Sequence, residues 1–438
     1  TQKIRRRKGM KIALVHFRAG QTDGVSLEME KWKKVLERMG YDVFYIAGQL
    51  TQVDGVEIPS ISMDSQTNFW IHGNAFEEPS VDEEAFVKAF DEYVFRIERE
   101  LQAKVPPVDL FIVNNILSLG FNLPAAVAIT EFAKRKKIKI IGHHHDFYWE
   151  RERYSRPQNN FVVRILDDYF PPKDGNILHV TINSLAQKEL LKKKGIDSRV
   201  IPNVFDFDQP TWQVDDYNKD LRVSLGIGEG DVLILQATRI VQRKAIEIAM
   251  DFVEHFSHMT NKVVHFVIAG FFEQESQQYY QKLVKKAQQM SYKTHFAFEK
   301  VRSTRFVGDK KYYSLWDMYA VSDAVTYTSI LEGWGNQLIE AVFAKRPLIV
   351  YEYPVYKSDI APLGFDFISV GDKVYHDEVE GFYKVETNLL HGAAMRLSEL
   401  LSCPEELSKT AEKNFKIGKK HLSLQSLQEH LQEILAQL

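Results

Sequence analysis

Two carboxylates separated by seven residues flank a glycine-rich turn in the segment LEGWGNQLIEAV. Glu332 precedes the turn, and Glu340 lies about one turn into the helical pattern that follows. Glycines let a backbone approach a ligand closely, and backbone amides can donate to hydroxyls or phosphate oxygens. Glu332 could therefore accept hydrogen bonds from two sugar hydroxyls, and Glu340 could hold a ribose diol. The simpler interpretation makes Glu332 a helix cap and Glu340 a surface charge.

Two cations stand upstream of this turn. The apolar run DVLILQATR ends at Arg239, and Lys244 opens the helical pattern KAIEIAMDFVEHF. Ligands of α/β proteins bind at the carboxyl edge of the parallel sheet, where helix N-termini also lie. A guanidinium fork and an ammonium charge together suit a diphosphate. The alternative is a solvated loop with two ordinary surface cations.

A run of histidines, His143, His144 and His145, followed by Asp146, ends another apolar run in IKIIGHHHDFYWERERYSR. Strand alternation places His143 and His145 on one face. We expect this face to contact a ligand, through a hydrogen bond to a hydroxyl or by assisting its deprotonation. A divalent metal site and purely structural histidines are the alternatives.

Three arginines follow the histidines, at positions Arg151, Arg153 and Arg156. One interpretation is a solvated helix face that pairs with Glu150 and Glu152. The other is recognition of a phosphate or carboxylate on a ligand, which guanidinium groups bind bidentately. The second interpretation predicts an anionic substrate.

Short β-rich apolar runs alternate with helical patterns along nearly the whole chain, which predicts a doubly wound α/β architecture. The predicted strands are Lys11–Phe17, Asp42–Ala47, Asp109–Asn114, Lys139–Gly142, Leu178–Ile182, Arg199–Ile201, Val232–Gln236, Val263–Ala269, Ala324–Thr328 and Leu348–Tyr351. The first half also predicts helices at Leu27–Met39, Leu123–Lys136 and Ser184–Lys194, with Ser184 as N-cap of the last.

A polar stretch from Phe205 to Asp220 interrupts this alternation and predicts a linker. We expect Rossmann-like domains at 1–208 and 221–415, facing each other across a cleft and joined by 209–220. A helical tail at 416–438 could pack back on the first domain. Residues 49–104 break the spacing and are interpreted as an insertion, a strand-poor loop followed by a helix near Val81–Gln102.

Composition narrows the class of protein. A net charge of -3 over 438 residues predicts neither nucleic acid nor an acidic membrane as partner. The basic run Arg5–Lys8 is interpreted as a frayed leader, with a phosphate or lipid contact as the alternative. Cys403 is the only cysteine, so no intrachain disulfide can form. No apolar stretch reaches about 18 residues, so we expect no transmembrane segment and a soluble, cytoplasmic protein.

The spacing of Glu332 and Glu340, with Arg239 and Lys244 upstream, resembles the donor-site signature of the family 4 glycosyltransferases, which are retaining enzymes of the GT-B fold. The segment HFRAGQTDGVSLEMEKWKKVLERMGYDVFYIAG is similar to the opening of that family, with a glycine loop around Gly20 and Gly24. The segment TINSLAQKELLKKKGIDSRVIPNVFD is similar to its last βα unit before the linker. The resemblance covers nearly the whole chain in the correct order.

The resemblance implies a nucleotide-sugar donor, UDP- or GDP-hexose, bound by the C-terminal domain without a metal or other cofactor. It implies a sugar, sugar-acid or lipid-linked acceptor on the N-terminal side, beside the insertion. The implied catalytic residues are His145, Arg239, Lys244 and Glu332. The implied donor-binding residues are Gly24, His143, Gly333, Trp334, Gly335, Asn336, Gln337 and Glu340. The acceptor-binding residues are expected to be Gly20, Asp146, Arg151 and Arg153.

Departures from the family pattern concern the identity of the donor sugar. Trp334 replaces a commoner phenylalanine, Lys345-Arg346-Pro347 replaces glycine-x-proline, and Tyr351–Tyr353 is bulky where the family tends to be small.

For the reaction, the resemblance favours transfer of glucose or mannose by same-face attack, in which the leaving phosphate helps to take the acceptor proton. The alternatives are a nucleotide-sugar epimerase on the same fold and a non-catalytic sugar-nucleotide-binding protein.

Overall fold

A computed structural model describes residues 9–438, so the predicted basic leader Arg5–Lys8 lies outside the described residues. The chain forms two compact units. The first comprises the described residues up to Val204 together with Leu424–Leu438, and the second comprises Phe205–Ser423. None of the helices in the described part of the chain combines the length and apolar character needed to cross a membrane.

The first unit is built on a seven-stranded parallel sheet in the order β3-β2-β1-β4-β5-β6-β7. Its strands are β1 (Lys11–His16), β2 (Asp42–Ala47), β3 (Gly55–Glu57), β4 (Leu110–Asn114), β5 (Lys139–His144), β6 (Ile177–Thr181) and β7 (Arg199–Val200). Its helices up to the unit boundary are α1 (Gly24–Arg38), α2 (Gln66–Phe76), α3 (Glu83–Lys104), α4 (Leu123–Lys136), α5 (Asn160–Tyr169) and α6 (Ser184–Lys194). Central strands such as β4 are buried along their whole length, as expected when helices cover both faces of a parallel sheet.

Helix caps follow local side-chain chemistry. Asp23 caps α1 by accepting from the backbone N–H groups of Val25 and Ser26. The N-cap of α6 is Asn183 and not the predicted Ser184, because the Asn183 side chain accepts from Ala186 N at 2.8 Å. Asparagine and serine are nearly equivalent as caps, so the sequence alone leaves the choice between neighbours open.

The predicted insertion at 49–104 is more regular than expected. It contains the edge strand β3 and the helix α2 as well as the long helix α3. Helix α2 begins at an N-cap, Ser65, whose side chain accepts from Asn68 N. The hydrophobic periodicity of this helix is weak, which explains why the sequence indicated a loop.

The second unit is built on a six-stranded parallel sheet in the order β10-β9-β8-β14-β15-β16. Its strands, including those of two small sheets, are β8 (Val232–Gln236), β9 (Val264–Ile268), β10 (Lys293–Phe296), β11 (Val301–Arg302), β12 (Phe306–Val307), β13 (Lys311–Ser314), β14 (Ala324–Tyr327), β15 (Leu348–Val350), β16 (Ile368–Ser369), β17 (Tyr375–Asp377) and β18 (Phe382–Lys384). Its helices are α7 (Leu221–Ser224), α8 (Ile246–Ser257), α9 (Gln277–Ala287), α10 (Leu315–Val321), α11 (Asn336–Phe343), α12 (Thr387–Ser402) and α13 (Pro404–His421).

The predicted linker, 209–220, belongs to the second unit. Trp212 stacks on Trp316 with ring centroids 4.6 Å apart, and Asn218 donates to Asp317 Oδ1 at 2.9 Å. These contacts place 209–220 inside the second unit, and the boundary between the units lies before this segment, between Val204 and Phe205. The polar composition of the segment gave no sign of such contacts.

The last helix, α14 (Leu424–Leu435), belongs to the first unit. Its apolar face, which includes Leu427 and Leu431, lies in one buried cluster with Trp32 and Leu36 of α1. The tail expected at 416–438 is therefore divided at Ser423, since α13 stays in the second unit. Of the two helices α13 and α14, α14 is the one whose apolar residues complete the core of the first unit.

In each sheet the strand order reverses at one point, between β1 and β4 in the first unit and between β8 and β14 in the second. Ligands of open α/β sheets bind outside the carboxyl ends of the strands at such points. The residues that follow β1, β4, β8 and β14 are therefore the first to consider as functional.

Candidate functional site

The segments that follow β8 and β14 bring together a cluster of charges around a nearly buried carboxylate. Lys244 Nζ forms an ion pair with one carboxylate oxygen of Glu332, and Arg243 Nη1 lies 2.8 Å from the other. The Glu332 side chain is 11% exposed and that of Lys244 is 6% exposed. Arg243 also donates to the backbone oxygen of Leu331 at 3.1 Å. Glu332 is thus an acceptor between two cations and not a helix cap.

Arg243 is a residue that the sequence interpretation missed. It stands beside Lys244 in a short 3-10 turn, Gln242–Lys244, that precedes α8. The turn ends at Ala245, whose φ of 43° is in the left-handed region. The position of Arg243 next to Lys244 was the one signal in the sequence that could have identified it. The geometry of the turn is what directs the side chains of both residues to Glu332.

The cluster keeps its carboxylate ionised. Burial alone would raise the pKa of Glu332, but Lys244 and Arg243 outweigh burial, and the pKa lies below its ordinary value. Burial lowers the pKa of Lys244, an effect that Glu332 opposes. The buried ring of Tyr327 lies beneath Lys244, 5.7 Å from Nζ to the ring centroid. The result is a carboxylate in a water-poor site where electrostatic interactions are strong.

Arg239 does not join this ion-pair cluster. Its Nη1 lies 3.0 Å from Glu273 Oε1, in the segment that follows β9. The Arg239 side chain is 47% exposed. Arg239 thus presents a guanidinium to solvent beyond the carboxyl end of β8, and Glu273 holds it there through an exposed ion pair.

The turn after Glu332 is shaped by a buried tyrosine. Tyr353 Oη donates to the backbone oxygen of Trp334 at 2.7 Å, and a Cβ on Gly335 would lie 2.6 Å from the same Oη. Glycine is therefore required at 335 by close packing. Trp334 is 5% exposed, so its indole ring is buried. The role of Trp334 in donor binding stays a prediction.

The carboxylate of Glu340 is oriented by a buried tyrosine of the same unit. The hydroxyl of the buried Tyr319 donates to Glu340 Oε2 at 2.8 Å and lies 3.3 Å from the Gln337 backbone oxygen. Asn336 is the first residue of α11, and both Asn336 and Gln337 are partly exposed. Gly333 is exposed. The predicted donor-binding residues 333–340 thus form one continuous turn and helix start after Glu332.

In the first unit, the carboxyl ends of β1, β4 and β5 are joined by asparagines. His16 Nδ1 lies 2.9 Å from the Asn114 backbone oxygen, and His145 Nε2 lies 3.1 Å from Asn114 Oδ1. Asn115, at a φ of 59°, accepts through Oδ1 from the backbone N–H groups of His145 and Asp146 at 2.8 and 3.2 Å. Asparagine tolerates this left-handed backbone well. These asparagines, absent from the sequence prediction, fix the position of His145.

The three consecutive histidines have different surroundings. His143 is buried, with its ring stacked on Trp32 at 4.2 Å and 4.1 Å from the His145 ring. His144 points away and pairs with His179, at 2.9 Å between Nε2 and Nδ1. His145 retains partial exposure. The buried His143 ring packs against His145 and supports it, and the donor contact expected of His143 stays a prediction.

Burial keeps these imidazoles neutral. Burial lowers the pKa of His16 to about 4, and burial with the nearby His16 lowers that of His145 to about 3. His145 can therefore exchange hydrogen bonds with a hydroxyl, whereas so weak a base does not hold a proton near neutral pH. Within residues 9–438, no three His, Cys, Asp or Glu side chains are grouped so that they could hold a metal ion.

Of the two glycines of the opening loop, Gly20 has a structural explanation. Gly20 has a φ of +78°, and a Cβ there would lie 2.0 Å from the backbone oxygen of Thr51. Gly24 is the first residue of α1, directly after the N-cap Asp23, which also pairs with Arg18 at 3.2 Å. The predicted roles of Gly20 in acceptor binding and of Gly24 in donor binding stay predictions.

The three arginines do not share one α-helix face, because Arg153 lies in a short 3-10 helix, Glu152–Tyr154, and Arg151 and Arg156 lie outside it. Arg151 Nη2 pairs with Asp146 Oδ2 at 3.2 Å, and Arg153 Nη2 lies 3.1 Å from His72 Nε2. Both guanidinium groups contact the ring of Phe121, at 5.4 and 5.6 Å from its centroid. Arg156 is exposed further along the segment. His72 lies in α2, so the insertion does contribute to this cluster.

Comparison with known proteins identifies relatives over nearly the whole chain. Residues 218–364 match the family model described as glycosyl transferases group 1. A mannosylglucosylglycerate synthase of Petrotoga mobilis is 43% identical over 427 residues, covering 94% of this chain and 97% of that protein. A mannosylglucosylglycerate synthase of Thermotoga maritima is 37% identical over 444 residues, covering 96% of this chain and 99% of that protein.

Solved structures resemble the whole chain. Anabaena HepE, crystallised in complex with UDP-glucose, matches with a TM-score of 0.59 at 13% identity. The match covers 98% of this chain and 100% of that chain. At this identity the likeness concerns the fold, which is the two-unit, parallel-sheet architecture described above.

Proposed function

The chain belongs to the group 1 glycosyltransferases and has the GT-B fold, and we propose that it transfers mannose from a nucleotide-diphosphate sugar to a glucosylglycerate-type acceptor. The name mannosylglucosylglycerate synthase describes a product in which such a transfer would form the last glycosidic bond. The donor is GDP- or UDP-mannose. The finer parts of the proposal are retention of the anomeric configuration and catalysis without a metal.

The observation that carries the proposal is the buried Glu332 carboxylate between Lys244 and Arg243. A carboxylate that stays ionised can accept hydrogen bonds from two hydroxyls of a hexose. The cations beside it supply positive charge where a diphosphate would leave. An ordinary surface loop would not hold a nearly buried carboxylate and a buried lysine, with a partly exposed arginine beside them, at the switch point of a sheet.

The leaving group sets the roles of the other residues of the second unit. As the bond between C1 of the hexose and the diphosphate oxygen breaks, negative charge grows on the diphosphate, and Arg239 and Lys244 stabilise it. The backbone amides of residues 333–337 donate to the hexose or the phosphates. Glu340, oriented by Tyr319, accepts from the ribose diol.

The new bond forms between the acceptor hydroxyl oxygen and C1. In the retaining route, the acceptor attacks from the side on which the diphosphate leaves, and the acceptor proton passes to the departing phosphate oxygen. This route requires no side chain as a base. It agrees with the low pKa of His145, which is then a hydrogen-bonding partner of a hexose hydroxyl.

Product analysis tests the proposal directly. The purified chain is incubated with GDP-mannose, UDP-mannose or UDP-glucose, and with glucosylglycerate or its 3-phosphate, with and without excess EDTA. We expect mannosylglucosylglycerate with a retained anomeric centre by NMR, formed equally well with EDTA. Loss of activity on chelation, restored by one divalent ion, would refute the metal-free part. An epimerised sugar nucleotide, or unchanged donor with every acceptor, would refute the proposed transfer.

A further inference from the structure

The three arginines of segment 151–156 differ in how their charges are compensated. Arg151 is paired with the carboxylate of Asp146. The polar partner of Arg153 is His72, and its other contacts are the rings of Phe121 and Tyr154, at 5.6 and 5.2 Å. In the part of the chain that the structure describes, Arg153 forms no ion pair with a carboxylate. It is exposed, so its charge is available to a ligand.

His72 orients Arg153 without neutralising it. Burial and the nearby guanidinium of Arg153 lower the pKa of His72, although Glu77 opposes this. The imidazole is therefore neutral near pH 7, and its Nε2 accepts one N–H of the guanidinium while Nδ1 lies 3.5 Å from Glu77 Oε1. His72 is 8% exposed, which makes it a fixed partner.

The aromatic contacts complete this orientation. Phe121 and Tyr154 pack against the guanidinium of Arg153, an arrangement in which a planar cation keeps its in-plane N–H groups free for other acceptors. A guanidinium has five N–H donors, and His72 uses one of them. The remaining donors match the two oxygens of a carboxylate. The position is adjacent to Asp146 and His145 through Arg151, which shares the Phe121 ring.

We propose that Arg153, positioned by His72, binds the carboxylate of a sugar-acid acceptor and selects it over a neutral sugar. This inference rests on the proposed function and identifies Arg153 as the residue that recognises the acid group of the acceptor. Arg151, already paired with Asp146, contributes little to this selection. His72 is a positioning residue that acts through Arg153.

The first test compares acceptors. Glucosylglycerate and its carboxamide differ at one group, which is a charged carboxylate in the first and a neutral amide in the second. With the parent enzyme we expect a kcat/KM at least about 10-fold higher for the acid, the scale of a charged hydrogen-bonded pair. Arg153→Gln should raise the acceptor KM about 10-fold or more, leave the donor KM unchanged and abolish the preference for the acid. Arg156→Gln, on the same exposed segment, is the matched control and should behave as the parent.

The second test concerns His72. His72→Gln can still offer an acceptor oxygen to Arg153, whereas His72→Leu cannot. We expect the leucine variant to raise the acceptor KM with little change in kcat, and the glutamine variant to restore most of the affinity. Equal acceptor constants for the leucine variant and the parent would overturn the positioning role.

Direct binding separates this inference from the proposed function. Calorimetry measures the affinity of the intact protein for glucosylglycerate without requiring turnover. Weaker binding in Arg153→Gln, with unchanged binding in Arg156→Gln, supports the carboxylate site even if no transfer is found. An unchanged affinity in Arg153→Gln, or equal use of acid and amide by the parent, overturns it even if transfer is found.

Discussion

At the scale of single residues, Glu332 is the position most sensitive to charge. Its side chain is nearly buried between Lys244 and Arg243. Glu332→Gln leaves these cations without their carboxylate, and breaking a buried pair from one side costs about 3–5 kcal/mol. We expect the free energy of unfolding of the second unit to fall by this amount at about pH 7, measured by urea denaturation.

The same variant has a predicted pH dependence. The pKa of Glu332 is lowered from its ordinary value of 4.5, so its contribution to stability is fully present above that pH and is lost as the pH falls through the depressed pKa. The difference in unfolding free energy between parent and Glu332→Gln should therefore narrow below about pH 4. Glu275→Gln, an exposed site in the same unit, is the control. A difference that stays constant down to about pH 3 would contradict the assignment.

Arg239 is a partly exposed residue whose predicted role is electrostatic and not structural. Its exposed ion pair with Glu273 contributes at most about 1 kcal/mol to stability. If Arg239 stabilises the leaving diphosphate, Arg239→Ala should lower kcat by about 100-fold or more with little effect on the unfolding midpoint. Arg396→Ala, which removes another partly exposed and ion-paired arginine of this unit, should keep its activity. Unchanged turnover in a folded Arg239→Ala would remove Arg239 from the catalytic residues.

At the scale of elements, the turn between β14 and α11 depends on Tyr353, which follows β15. The hydroxyl of Tyr353 holds the Trp334 backbone and occupies the space that a side chain at 335 would need. The bulky Tyr351–Tyr353 segment, a departure from the family pattern, thus packs against the turn that contains Trp334 and Gly335. The conformation of this turn depends on glycine at position 335.

This coupling predicts a double-mutant result. Gly335→Ala should lower activity strongly, because the new Cβ meets Tyr353 Oη at 2.6 Å. Tyr353→Phe removes that oxygen, so the combination Gly335→Ala with Tyr353→Phe should be more active than Gly335→Ala alone. Neighbouring residues of this kind are expected to be non-additive. Strictly additive effects on kcat/KM would show that the two positions do not interact.

At the scale of the whole molecule, the chain completes its first core with its last helix. Leu431 of α14 is fully buried in the cluster that contains Trp32. Leu431→Ala should reduce the free energy of unfolding of the first unit by about 2–5 kcal/mol. The exposed neighbour Gln432→Ala should have little effect. Denaturant unfolding monitored by tryptophan fluorescence measures both, and equal midpoints would argue against the packing of α14 on α1.

Local patterns in the amino-acid sequence were enough to predict the regular elements. Apolar runs and helical periodicity predicted the sheets and helices well enough that β2, β8, α4 and α6 have the predicted bounds. The order of these elements predicted a doubly wound α/β architecture. The family resemblance of the Glu332 and Glu340 motif, with Arg239 and Lys244 upstream, implied the GT-B fold and the glycosyltransferase class, and both are confirmed. Helix and strand periodicities act over a few residues, which is why a single chain reveals them.

Tertiary structure alone decided which side chains meet. It brought Arg243 to Glu332 and His72 to Arg153. It buried His143 against Trp32. It also divided the C-terminal tail between the two units. These contacts join residues far apart in sequence, and their geometry depends on turns and packing that no local pattern encodes, so composition and spacing could name the candidates but not pair them.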